Sequence, residues 1–297
     1  MKKEAILIIL LAFTMPLVSA GLFDWLKEKI QLAPGPSQPT DVRVQVGNAA
    51  PTIQSISVIP AVSLSPSPST TPVVFTFTAR DSNGASDLND ATASANFNKV
   101  GESTRTATCV FQSQSGKQRT YECTVVMQYY DDAGTWNVGV SIQDQASLSA
   151  SSSSTFPVNL LKDISIFPAT INFPAVEPEQ GNVPSSVSTT ITNNGNFETP
   201  LDGDIKITSF DLLGETTPLE IIPALNFRAS GSSGSATVCT TGTGLTDSTA
   251  ISITANLPRG SSGSNTEDLT YCITSIPADI STQFYSATGG RAWIIGI

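Results

Sequence analysis

From Thr52 onward the chain is written in short runs rich in Val, Ile, Thr and aromatic residues, cut by Gly, Pro, Asn, Asp or Ser. Runs such as Val74-Phe75-Thr76-Phe77-Thr78 alternate apolar and polar side chains, the period of a strand with one buried face. Such a chain buries a core only by pairing strands into sheets and packing sheet on sheet. Charged residues are 13% of the sequence, and Ser, Thr, Gly and Pro fill the surface positions between strands. The pattern predicts strands at 52–59, 72–80, 91–99, 104–113, 119–129, 135–143 and 153–161, and a second set near 164–174, 185–193, 204–212, 219–228, 236–240, 248–256, 268–275 and 291–297.

The segment before Thr52 reads differently. Residues 1–20 pair a basic start, Lys2 and Lys3, with an apolar run and the small-residue site Val18-Ser19-Ala20. That is the layout of a secretory signal peptide, and it places the mature start at Gly21. Residues 21–31 set Leu22, Phe23, Trp25, Leu26 and Ile30 on one helical face, a short amphipathic helix suited to a membrane surface or a partner groove. Residues 32–51 hold Pro34, Pro36, Pro39 and Pro51 and read as a stiff linker. Domains are then expected at 52–161 and 162–297. No Pro or Gly interrupts Asn159-Leu-Leu-Lys-Asp-Ile-Ser-Ile166 between them, so the pair is expected to be a rigid rod.

The sequence contains no histidine. Ser-His-Asp and Cys-His catalysis and His-ligated zinc are excluded, whereas carboxylate pairs and oxygen-ligated calcium are not. Losing the leader's two Lys and one Glu takes the formal charge from −10 to −11. An acidic chain without basic clusters is repelled by phosphate backbones, so no nucleic-acid partner is expected. No Asn-x-Ser/Thr sequon occurs.

Four cysteines in a secreted chain predict two disulfides. Cys109 and Cys123 flank Ser115-Gly116-Lys117 symmetrically and fall opposite each other in a hairpin turning at Gly116. Cys239 and Cys272 are left to pair by elimination.

Residues 129–144 carry Tyr130, Gly134, Trp136 and Val138 in a Y-x-x-x-G-x-Y-x-V arrangement that ends on Asp144. This resembles the E–F turn and F strand of PKD-like and other immunoglobulin-like modules, with Trp136 in place of the corner aromatic. The WDFGDG-type signature of true PKD domains is missing. Ile171-Asn-Phe-Pro-Ala-Val followed by Ser188-Thr-Thr-Ile-Thr-Asn-Asn-Gly-Asn196 resembles a second immunoglobulin-like type. The resemblance implies an all-β fold of two immunoglobulin-like sandwiches in tandem, with Trp136 in a core. It also implies display, adhesion or assembly at a bacterial or archaeal surface.

Asp81, Asn83, Asp87, Asn89 and Asp90 crowd ten residues, 81–90. They match the start of a calcium loop but lack its bidentate Glu, since residue 92 is Thr. In an immunoglobulin-like sandwich this segment is the B–C loop, and Asp144 at the end of strand F shares its pole. The candidate metal set is therefore Asp81, Asn83, Asp87, Asp90 and Asp144, with calcium as the one cofactor, at the pole expected to face the second domain. The same residues also suit a capped turn. The chain is expected not to be an enzyme but a secreted or cell-surface structural or adhesion protein, with surface proteins or glycans as partners. One alternative is a filament or lattice subunit self-assembling through Ala292-Trp-Ile-Ile-Gly-Ile297. Another is a glycan-active or glycan-binding protein using Asp131 or Asp132 with Glu102.

Overall fold

The computed structural model describes residues 40–231 and 237–297. The chain divides into two units, Met1–Gly47 and Asn48–Ile297. Of the first, residues 40–47 are described; they are exposed and without regular structure. The expected signal peptide, the amphipathic helix and linker residues 32–39 lie outside the described residues. Within the expected linker, Asn48 is the first residue of the second unit, and Pro51 is buried.

The second unit is all-β, built from antiparallel sheets. Its first seven strands are β1 (Thr52–Ile56), β2 (Thr70–Arg80), β3 (Leu88–Asn98), β4 (Arg105–Ser115), β5 (Gln118–Gln128), β6 (Gly134–Asp144) and β7 (Ser149–Val158). They pair in the order β1-β2-β5-β4-β3-β6-β7. The β4 strand is shared: Arg105–Thr108 pair with β3, and Cys109–Ser115 pair with β5. This hand-over folds the path into two facing layers, so that Phe75 of β2 stacks on Phe97 of β3 with ring centroids 5.7 Å apart. Alternation does the sorting: Val73, Phe75, Phe77 and Ala79 of β2 and Trp136, Val138, Val140 and Ile142 of β6 all turn into one core. Trp136 is fully buried and donates its indole N–H to the Asp132 carbonyl at 2.7 Å. A parallel bridge between Val62 and Val158 ties the segment after β1 to β7.

The β4–β5 hairpin turns on Gly116 and Lys117, with Gly116 at φ 58°. A two-residue turn alone puts Cys109 one position out of register with Cys123. A bulge between Phe111 and Ser113 takes up the extra residue and sets the cysteines directly opposite, Cα atoms 4.3 Å apart, in a disulfide.

A second hydrophobic core spans residues 183–276, and here the strand expectations fare less well. Thr243–Gly244, Phe227–Ser230, Thr266–Ile273, Thr189–Asn193 and Ile164–Phe167 form one sheet in that order. Two three-stranded sheets accompany it. One sets Ile205–Thr208 between Ala250–Ile253 and Ile294–Gly296; the other sets Leu212–Gly214 between Ile221–Ile222 and Tyr285–Ser286. Pro168 ends the strand expected at 164–174. Pro223 splits the one expected at 219–228, with a 3₁₀ turn at Ala224–Asn226. The expected strand at 236–240 is replaced by a helical turn, Val238–Thr241, in which Thr240 and Thr241 hydroxyls donate to the Thr237 carbonyl. Cys239 in this turn is bonded to Cys272, Cα atoms 5.2 Å apart. Tertiary stapling overrides the strand preference of β-branched residues here. The C-terminal Ile294–Gly296 pairs with Ile205–Thr208 and so completes a sheet of its own chain.

The two cores meet at the pole where β3 and β5 end and β6 begins. Arg259 donates to Glu102 Oε1 at 2.7 Å and to the Tyr130 carbonyl at 2.8 Å. Asn196, fully buried, donates to the carbonyls of Asp131 and Asn159, each at 3.0 Å, and accepts from the Leu161 N–H at 2.6 Å. A Cβ built on Gly195 would lie 2.1 Å from the Leu161 carbonyl oxygen, so only glycine fits between the turn and the connecting chain. Gly195→Ala is expected to destabilise by about 1–3 kcal/mol, as overpacking does. In limited proteolysis, the connection near residue 161 should become the first new cleavage site; an unchanged digestion pattern would contradict this.

Candidate metal centre

The opposite pole gathers the acidic residues. The β2 strand ends at Arg80 and delivers Asp81, β6 ends on Asp144, and a 3₁₀ turn, Ala85–Asp87, leads into β3. Gly84 precedes that turn at φ 141°, a conformation open to glycine, and turns Asp87 back toward Asp81. Asp81, Asp87 and Asp144 each offer a carboxylate oxygen, all within 4.8 Å of one another.

Two of the three are fully buried. Asp144 Oδ1 accepts the N–H groups of Ala146 at 2.9 Å and Leu148 at 2.8 Å, and its Oδ2 accepts from Asn48 Nδ2 at 2.8 Å. Asp81 Oδ1 accepts the Asn83 N–H at 2.7 Å. Asp81 Oδ2 is buried with no hydrogen-bond partner. An unpartnered buried carboxylate oxygen is costly, and two more carboxylates close by raise that cost. None of the ion pairs among the described residues reaches the three. Burial foremost, then the charges of Asp81 and Asp144, push the Asp87 carboxyl above its ordinary range.

A hard divalent cation meets these conditions. Calcium accepts six to eight oxygens at about 2.3–2.6 Å, so oxygens on opposite sides of one ion stand about 5 Å apart. Three carboxylates that no ion pair among the described residues neutralises supply the charge, and the buried, unpartnered Asp81 Oδ2 supplies an open ligand atom.

The structure redraws the expected ligand set. It brings Asp81, Asp87 and Asp144 together and leaves Asn83 at the rim, its Oδ1 accepting the Ala49 N–H at 2.8 Å. Asp90 goes elsewhere, accepting from Arg119 Nη1 at 2.8 Å and the Tyr121 hydroxyl at 2.7 Å. The turn at 85–87 hands the chain to β3 before residue 90, so Asp90 is placed by strand pleat and not by the loop. That contact, after burial, raises the Tyr121 hydroxyl above its usual range.

The pole is also corrected. From Asp144 the chain must run the length of β7 before it reaches residue 161, so the cluster lies opposite the junction, where residues 48–51 lead into β1. Asn48, overlooked in the sequence because it sits in a Pro-rich stretch, is the residue this placement adds.

The carboxylates considered for glycan chemistry are engaged as ion pairs. Asp131 is held by Arg105, Asp132 by Lys99, and Glu102 by Arg259.

No family model and no curated protein matches the chain. Among solved structures, it is similar to the secreted serine protease VesC from Vibrio cholerae, with 9% identity over 79% of this chain and 51% of that one, at a TM-score of 0.23. The chain thus spans about half the length of that structure. Set beside this finding, the expectation that the chain is not an enzyme is withdrawn, and a likeness this weak supports no argument either way. A TM-score of 0.23 in turn assigns no activity to this chain. The two disulfides point to folding in an oxidising, extracellular compartment.

Proposed function

We propose that this is a secreted, cell-surface structural protein of immunoglobulin-like modules, whose first module carries a stabilising calcium site at Asp81, Asp87 and Asp144. The buried, unpartnered Asp81 Oδ2 among three carboxylates carries this reading. Two facing layers, a strand handed between them and a parallel bridge closing the far edge support the immunoglobulin-like assignment of the first module. The bonded junction around Asn196 and Arg259 supports a stiff spacer that presents its far end to surface partners or glycans. Tethering at the cell surface falls to the N-terminal segment.

Calcium at a hundredfold excess over its dissociation constant stabilises by about 2.7 kcal/mol. At about 2–4 °C per kcal/mol for a unit of this size, the melting temperature should rise by about 5–10 °C. Asp81→Asn should abolish the rise and, by removing one repelling charge, melt higher than wild type in chelator. The pH dependence follows from the raised Asp87 pKa. A carboxyl whose folded pKa lies above its unfolded value binds more protons when folded, so the metal-free protein gains stability as pH falls through that window. The calcium-induced rise should shrink over the same window. Scanning calorimetry with calcium and with chelator checks both; identical wild-type melting in the two buffers would overturn the proposal.

A further inference from the structure

The residue at which the compact unit begins touches the candidate site directly. Asn48 Nδ2 donates to Asp144 Oδ2, and the next residue, Ala49, donates its N–H to Asn83 Oδ1, whose own N–H is on Asp81 Oδ1. Two of the three carboxylates are thus linked to residues 48 and 49 through one or two hydrogen bonds, Asp144 to the Asn48 side chain and Asp81, by way of Asn83, to the Ala49 N–H. Asn48 is itself the first residue of the compact unit, while its flank at 40–47 is exposed and irregular. Pro51, three residues on, is buried, and Thr52 opens β1 opposite Arg80. The chain from Asn48 to β1 therefore passes over the cluster.

We propose that Asn48 is a ligand of the cation held by Asp81, Asp87 and Asp144, and that binding fastens residues 48–51 to the sandwich. The inference rests on the calcium site proposed above. A primary amide carries a donor nitrogen and an acceptor oxygen at the same distance from its stem. In the metal-free state the nitrogen faces the Asp144 carboxylate. A half-turn of the amide presents the oxygen to a cation at that carboxylate instead. Three carboxylates supply few of the six to eight oxygens that calcium takes, and a neutral amide oxygen adds a ligand without adding repulsion. An ion bridging Asn48 to Asp81 and Asp144 replaces one amide–carboxylate hydrogen bond with a tie across three chain segments. The ion then ties residues 48–51 to the pole from which β1 starts.

The test uses the full chain and calcium chloride. Calorimetric titration gives the calcium affinity, and amide hydrogen exchange with mass spectrometry follows residues 48–53, for wild type, Asn48→Ala and Asn48→Asp. Wild-type exchange over 48–53 should slow at least tenfold with calcium. Asn48→Ala should bind calcium about tenfold more weakly, the scale on which groups supporting a metal site act, and should lose the slowing. Asn48→Asp keeps an oxygen but no N–H, so it should retain calcium binding and slowing while exchanging faster than wild type in chelator. The inference is overturned if calcium binds wild type and Asn48→Ala equally with unchanged exchange, or if Asn48→Asp behaves like Asn48→Ala; in both cases the calcium site itself stands. Failure of wild type to bind calcium at all overturns the site and the inference together.

Discussion

Replacing Arg105 with methionine is expected to destabilise the first sandwich by about 3–5 kcal/mol, the scale seen when one partner of a buried ion pair is removed. Asp131 is fully buried, and Arg105 meets it with both Nε and Nη2. The same carboxylate accepts the Gln128 N–H at 2.8 Å, closing the turn between β5 and β6. Without the guanidinium, a negative charge is left in the core with one amide for company. The Asp131 carbonyl also receives Asn196 from across the junction, so the effect should reach the second core. Urea unfolding checks the size. A double variant, Arg105→Met with Asp131→Asn, should recover most of the loss, because the amide oxygen still accepts from Gln128 and no charge remains. A loss under about 1 kcal/mol for Arg105→Met alone would place this pair with exposed ion pairs.

The second large effect is expected at the Cys239–Cys272 bridge. It closes a separation of 33 residues, against 14 for Cys109–Cys123. In the chain-entropy model the longer loop contributes about 4 kcal/mol and the shorter about 3 kcal/mol. The longer bridge also anchors the turn Val238–Thr241, a helix too short to persist alone. Cys239→Ala with Cys272→Ala should therefore cost more than Cys109→Ala with Cys123→Ala. The shorter bridge joins strands already paired in register and supported by bonds on both sides. Thermal unfolding of the two double variants orders them; the reverse order would show that the chain around 238–241 keeps its place without the staple.

The first half of the compact unit was legible because each strand there obeys a local rule. Alternation at 73–79 and 136–142 names the buried face, and turn residues mark the ends. The Cys109–Cys123 pairing follows from spacing, although the bulge that makes it true is visible only in the sheet. The second half was less legible. Its strands run two to eight residues, interrupted by prolines and by a disulfide-held turn, and no periodicity survives at that length.

The sequence by itself determined the all-β class, the pairing of the cysteines and the crowding of acidic residues at 81–90, because each depends on neighbours in the chain. Tertiary structure alone decided which acids converge. Asp81, Asp87 and Asp144 meet because three chain segments end at one pole, while Asp90, three residues from Asp87, is carried by the pleat of β3 to Arg119 and Tyr121. It also decided that the cluster lies at the pole where residues 48–51 lead into β1 and not at the second core, since β7 carries the chain from one pole to the other. Convergence of this kind is long-range, set by strand lengths and pairing order that local residue patterns do not encode.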